Sequence, residues 1–271
     1  GEGELKIGAL HKRFSHGPFG EMTIGAQTLR DSKRQEIFAY FHPGDLKPPL
    51  NIYFSGYRPA EGFEGFVMMR RMGSPFILFS DPRLEGGSFY MGSQELEDQI
   101  VAYIDQHLDW LGFGPKEMNF SGLSMGTFGA LYYGASYSPH AILVGKPIIN
   151  LGDVAANLKF KRPDEFGTSL DMMQLLVGQV SREGIDLLNQ RFWNRFNQAD
   201  LKDTILALAY MRDDDYDQLA YPKILEALYD RPVRIISSSR PGRHNDATAP
   251  IVEWFLTQYK EIMERDFGRI E

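Results

Sequence analysis

The chain contains no cysteine, which removes a disulfide framework, a zinc–thiolate centre and a thiol nucleophile together. Long apolar runs are also missing. No stretch approaches the ~18 consecutive apolar residues of a membrane-spanning helix, and the segment Ala141–Val144 is soon broken by Lys146 and Pro147. Nor is there a basic excess. The formal net charge is -7, whereas a protein that wraps nucleic acid carries surplus Lys and Arg to displace counterions, so nucleic acid is not an expected partner. The clusters Lys12-Arg13 and Arg70-Arg71 read as solvated faces. The opening Gly1-Glu2-Gly3-Glu4 has neither the basic start nor the apolar run of a signal peptide, and a chain with no initiating Met is expected to be a piece of a longer one.

What is present suits a folded α/β protein. The 271 residues fit one α/β domain with an appended piece, without internal repeat or low-complexity segment. Up to residue 45 the pattern is that of β-hairpins: Leu5–Leu10, Met22–Leu29 and Glu36–Phe41 alternate in polarity, with Gly17, Pro18 and Gly20 in a turn between the first two. From residue 46 to 271 strands alternate with helices, the mark of a mainly parallel sheet. Leu50–Ser55, Phe76–Phe79, Met118–Phe120, Ala141–Val144, Thr204–Met211 and Val233–Ser237 read as its strands. Ser93 is a candidate N-cap for a helix to about Leu111, with Glu95 and Glu97 in the first turn. Ile251, Phe255, Tyr259 and Ile262 lie at helical spacing in a last helix from about Ala247 to Phe267. Residues 151–203 interrupt the alternation with helical patterns rich in Met and aromatics, expected either as a lid or as extra helices packed on the sheet.

Gly122-Leu123-Ser124-Met125-Gly126 fits G-x-S-x-G. The pattern is weak alone, but here an apolar strand precedes it and a helix-compatible run, Thr127–Tyr137, follows. That is the setting of a nucleophile elbow in the α/β-hydrolase fold. The glycines either side of Ser124 leave room for a strained turn, and Gly126, Gly129, Ala130 and Gly134 share one helical face. No Gly-Lys-Ser/Thr follows, which excludes a Walker loop, and a dinucleotide fold would place its glycines after the first strand. Such an elbow exposes the serine hydroxyl and aims the N–H of Met125 at a developing oxyanion.

In this fold the triad runs Ser, acid, His along the chain. His244, in the polar loop Arg240–Asp246, is the histidine that follows the last strand and is the expected base. His140 precedes a strand and reads as a surface residue. The acid should follow Thr204–Met211, where Asp213-Asp214-Asp215 stand with Asp217 close behind. Asp214 is the preferred acid and Asp215 the second choice, the remaining carboxylates facing solvent or capping a helix that starts near Asp217. The run lacks the glycine and closing glutamate of a calcium loop, and no metal is expected. A second oxyanion donor is expected from the loop Phe54-Ser55-Gly56-Tyr57-Arg58, at the N–H of Gly56 or Tyr57.

The extended elbow Gly122–Gly134, together with Phe54–Arg58, Asp214–Asp217 and the His244 loop, resembles the second accessory secretory protein family of the accessory Sec system, over nearly the whole chain and as the C-terminal part of a longer protein. The resemblance implies a cytosolic or membrane-peripheral protein of Gram-positive bacteria. Its implied partners are two sibling accessory proteins and a motor ATPase, with which it exports glycosylated serine-rich repeat adhesins. The implied chemistry is O-acetylation of N-acetylglucosamine on the adhesin, with Ser124 as nucleophile and His244 as base. It needs an acetyl donor but no bound cofactor. The family acid can be a glutamate, where this chain offers aspartates. A carbohydrate esterase and a non-catalytic secretion scaffold are the competing expectations. For a transferase, Trp193, Phe192 or Tyr57 would offer a face on which a sugar could stack.

Overall fold

The computed structural model describes residues 25–58, 62–84, 86–161 and 164–269, the side chains of 158–161 apart. The expected strand Leu5–Leu10, the turn at Gly17–Gly20 and the pair Lys12-Arg13 lie outside them. Eight strands form one sheet: β1 (Gln27–Arg30), β2 (Glu36–His42), β3 (Leu50–Phe54), β4 (Phe76–Ser80), β5 (Met118–Leu123), β6 (Ala141–Gly145), β7 (Ile205–Met211) and β8 (Arg234–Arg240). Their order is β1-β2-β4-β3-β5-β6-β7-β8. β1 pairs with β2, and β2 with β4, in antiparallel fashion; every other neighbouring pair is parallel. The described strands before residue 45 are thus the antiparallel margin of the same sheet.

Successive side chains of a strand point to opposite faces, and both faces here are apolar. Ile52, Phe54, Ile77, Phe79 and Phe120 join one buried cluster, Tyr53, Phe76, Leu78 and Leu143 the other. Helices α2 (Gln94–Leu111), α3 (Met125–Gly134) and α7 (Ala220–Leu228) cover the first face, α1 (Phe66–Arg71) and α8 (Thr248–Phe267) the second. Phe54 is fully buried, stacked on Phe79 and Tyr133 with ring centroids 5.0 and 5.8 Å away. Burying such a ring contributes about 1.5–3 kcal/mol. α2 begins where Ser93 Oγ accepts the N–H of Leu96 at 3.1 Å, and ends at Gly112, whose φ of 73° is left-handed. Ile251, Phe255, Tyr259 and Ile262 form the buried stripe of α8. No helix among the described residues is long and apolar enough to cross a membrane.

Between β6 and β7 stand α4 (Leu151–Lys161), α5 (Ser169–Val177) and α6 (Arg182–Phe196). They pack on the first face through Val154, Met172, Leu188 and Phe192. Residues Asp164–Gly167, between α4 and α5, stand beside Ser124 at the carboxyl end of β5, the edge where open α/β sheets bind ligands.

Candidate functional site

Ser124 joins β5 to α3 at φ 51°, ψ −117°, a conformation that non-glycine residues rarely adopt. Neighbouring backbones close around it. A Cβ at position 122 would lie 2.2 Å from the Gly126 carbonyl oxygen, and one at position 126 would lie 2.0 Å from that of Phe54. Glycine is therefore required at both places. The Ser124 N–H donates to the Gly145 carbonyl at 2.9 Å, and its own carbonyl accepts Thr127 Oγ1 at 2.6 Å. Thr127 Oγ1 in turn accepts the N–H of Ile148 at 3.0 Å, tying the elbow to the strand end of β6.

The loops after β7 and β8 bring two distant side chains to this serine. His244 Nε2 lies 2.9 Å from Ser124 Oγ, and His244 Nδ1 lies 2.8 Å from Asp214 Oδ2. His244 and Asp214 are both buried. Burial alone would raise the Asp214 carboxyl, but hydrogen bonds from His244 and from the N–H groups of Asp217 and Tyr216 outweigh it, holding Asp214 below the usual carboxylate range. Asp214 therefore stays ionised as an acceptor for the imidazole N–H.

The neighbouring carboxylates brace the histidine loop. Asp215 Oδ1 accepts the N–H of His244 at 3.0 Å, and Asp213 Oδ2 accepts that of Gly242 at 3.3 Å. The expectation that they cap a helix fails, because α7 begins beyond Leu219 without a side-chain cap. Asp217, buried, accepts the N–H groups of Ile149 and Asn150 at 2.7 and 2.8 Å, and the Asn150 amide at 2.8 Å. Asn150 Oδ1 receives the indole N–H of Trp193 at 2.9 Å. A hydrogen-bonded path thus runs from α6 to the acid loop, and its Asn150 link carried no sequence signal.

A cavity of about 310 Å³ opens over Ser124, walled by Met125, Tyr57, Phe89, Tyr216, His244 and the segment Asp164–Gly167. That volume lies at the small end of ligand pockets. Met125 begins α3, so its N–H has no acceptor within the helix and sits at the positive end of the helix dipole. Gly56 lies behind Tyr57, packed so that a Cβ would stand 3.2 Å from the Leu123 carbonyl oxygen and 3.5 Å from a Glu64 carboxylate oxygen. Of the three rings proposed as a sugar face, Tyr57 alone lines this cavity and is half exposed. Phe192 is wholly buried against Phe128 and Phe196, and Trp193 borders a separate cavity with Asn197 and Lys223. Helical spacing placed both in the core layer rather than over the site.

Lys146 is a further buried group that sequence reading passed over. Its backbone is left-handed at φ 58° and its Nζ donates to Thr248 Oγ1 at 3.1 Å. Burial lowers its ammonium from the usual range, against the pull of Asp214 and Glu64. His140 is partly exposed and pairs with Asp266 at 2.7 Å, away from the site. Among the described residues no cluster of His, Asp and Glu is placed to hold a metal ion.

Residues 1–269 match the family model described as "Accessory Sec system GspB-transporter". An accessory Sec system protein of Staphylococcus aureus (strain NCTC 8325 / PS 47) is 50% identical over 271 residues, covering 100% of this chain and 52% of the relative. A chain of the "Glycosylation Associate Protein" complex from Streptococcus agalactiae superposes with a TM-score of 0.89 at 45% identity, over 94% of this chain and 49% of that one. The chain thus spans about half the length of the relatives it matches. The capsule O-acetyltransferase of Neisseria meningitidis serogroup A has a TM-score of 0.68 at 18% identity, over 90% of this chain and 97% of that one. That likeness is one of fold, a mainly parallel sheet of the α/β-hydrolase kind with flanking helices.

Proposed function

Because the chain belongs to the accessory Sec system GspB-transporter family, we propose that it forms the catalytic part of a serine acyltransferase. This part places acetyl groups on N-acetylglucosamine of glycosylated serine-rich repeat adhesins. It does so on the cytoplasmic side, in company with the sibling accessory proteins and motor ATPase of that export route. The observation that carries the chemistry is the unbroken contact from Ser124 Oγ through His244 to Asp214.

In this reading His244 Nε2 takes the Ser124 proton as Oγ attacks the acyl carbonyl carbon of a donor. The carbonyl oxygen, now negative, is met by the N–H of Met125 and by that of Gly56 or Tyr57. As the tetrahedral species collapses, its bond to the donor's leaving group breaks, and His244 returns the proton to that group. A sugar hydroxyl then enters, loses its proton to His244 and attacks the acyl carbon. The acyl group leaves Ser124 as an ester on the sugar, and Oγ recovers its proton. The cavity of about 310 Å³ suits one sugar unit beside Tyr57. Support for transfer over hydrolysis comes from the family and from the shared fold with an O-acetyltransferase; support for the partners comes from the family and from the complex that contains the Streptococcus agalactiae relative.

The deciding experiment expresses the adhesin with the full-length protein carrying this chain, wild type or Ser124→Ala, and compares glycan masses. Acetylated N-acetylglucosamine is expected with the wild type alone. Identical masses in the two strains, with export normal, would reject transfer to this glycan.

A further inference from the structure

Tyr216 stands two residues past Asp214 and outside the relay of protons. Its ring lies parallel to the imidazole of His244, centroids 4.2 Å apart and planes inclined by 6°. Its N–H donates to Asp214 Oδ1 at 2.8 Å. Its hydroxyl donates to Glu165 Oε2 at 3.0 Å, in the wall between α4 and α5, and Asn245 Nδ2 reaches the same hydroxyl at 3.5 Å. One residue therefore touches the acid, the base and the cavity wall.

We propose that Tyr216 is a positioning residue for His244: its ring backs the imidazole and favours the cationic form that arises when Ser124 gives up its proton, and its hydroxyl fastens that stack to the cavity wall. The inference rests on the reading of His244 as the base. Asp214 fixes the direction of the ring through Nδ1 but leaves it free to rock about that hydrogen bond. A parallel ring at contact distance removes this freedom. The face of an aromatic ring carries negative potential and attracts a cation stacked upon it. A neutral imidazole gains little from this, so the interaction strengthens as His244 takes up the proton in the transition state. Other charged groups also surround His244: Asp214 and Asp215 from the acid loop, Lys146 from the end of β6, Asp164 and Glu165 from the wall, and Arg243 and Asp246 on its own loop. All of them remain in the variants below, so a change reads Tyr216 alone.

The test follows the ring protons of His244 by NMR as pH is varied, with His244→Gln to identify the signal among the histidines. Tyr216→Phe keeps the ring and should titrate close to the wild type. Tyr216→Leu removes it and should move the midpoint down by about half a pH unit or more. Tyr216→Gln serves as a second ringless variant if the leucine protein does not fold. Midpoints unchanged in the ringless proteins, or lowered as far by phenylalanine, would overturn the proposal. The titration is read on resting protein, so a lack of turnover would count against the acyltransferase reading and leave this result standing.

Discussion

The N–H of Asp217 donates to Asp214 Oδ1 at 3.1 Å, so two buried carboxylates three residues apart share one loop while their environments push them in opposite directions. Burial dominates at Asp217 and lifts it to about 6, against its hydrogen bonds from Asn150 and Ile149. At Asp214 the donors win and the carboxyl falls below its usual range. Asp217 is thus the more readily protonated in the folded chain than in the unfolded one. Its contribution to stability is complete below about pH 4 and is lost as pH rises through 6, on the order of 2–3 kcal/mol. Asp214 acts the other way and outside that window, its contribution present above the ordinary carboxylate range and lost only in stronger acid. Asp217→Asn should therefore gain in urea unfolding free energy, relative to wild type, between pH 4 and pH 7. A difference that is flat with pH, or that grows in the wild type's favour, contradicts the assignment.

A serine-directed fluorophosphonate should label Ser124, and Ser124→Ala should abolish the label. Turnover of an activated acetyl ester should fall by several orders of magnitude in that variant, leaving about 10³-fold over water from oxyanion donors and binding. Labelling that persists without Ser124 would move the nucleophile elsewhere.

Asp214→Asn should cost up to about 10⁴-fold in the same assay, since the imidazole loses the partner that fixes its tautomer. Asp213, exposed and bonded to the N–H of Gly242 at the rim of the loop, should tolerate asparagine with a change in stability within about 0.5 kcal/mol. If Asp215→Asn proves the more damaging of the three, its bond to the His244 backbone outranks the Asp214 side chain.

Gly126→Ala would drive a methyl group to 2.0 Å from the Phe54 carbonyl oxygen, and both partners belong to rigid elements. Overpacking of this kind costs about 3 kcal/mol or more, which in a domain of this size lowers Tm by roughly 6–12 °C. Calorimetry checks it, and an unchanged Tm would mean that β3 and α3 can separate.

The sequence carried the strands of the parallel sheet, the N-cap of α2 and the stripe of α8, because each follows from a local rule of polarity or capping. The elbow was legible from its local strand–turn–helix pattern, although only Gly122 is demanded by a contact within a few residues; Gly126 is demanded by the carbonyl of Phe54 on another strand. α1 was not, being six residues long and entered through a left-handed Gly65 without a side-chain cap. The role of the Asp213–Asp217 run was half legible. Spacing set it after β7, but which carboxylate meets His244 depends on how a loop 30 residues onward folds back. Phe192 shows the opposite failure: an aromatic at helical spacing announces burial, and nothing local tells which cluster receives it.

The path from Trp193 through Asn150, Asp217, Asp214 and His244 to Ser124 points inward from both ends. An indole can only donate, and an ionised carboxylate can only accept. Between them the Asn150 amide has one orientation that satisfies both neighbours, oxygen toward Trp193 and nitrogen toward Asp217. The reversed amide would face donor with donor on one side and acceptor with acceptor on the other. Asp214 is therefore the point on which two series of donors converge, one arriving from an outer helix and the other from Ser124 through His244.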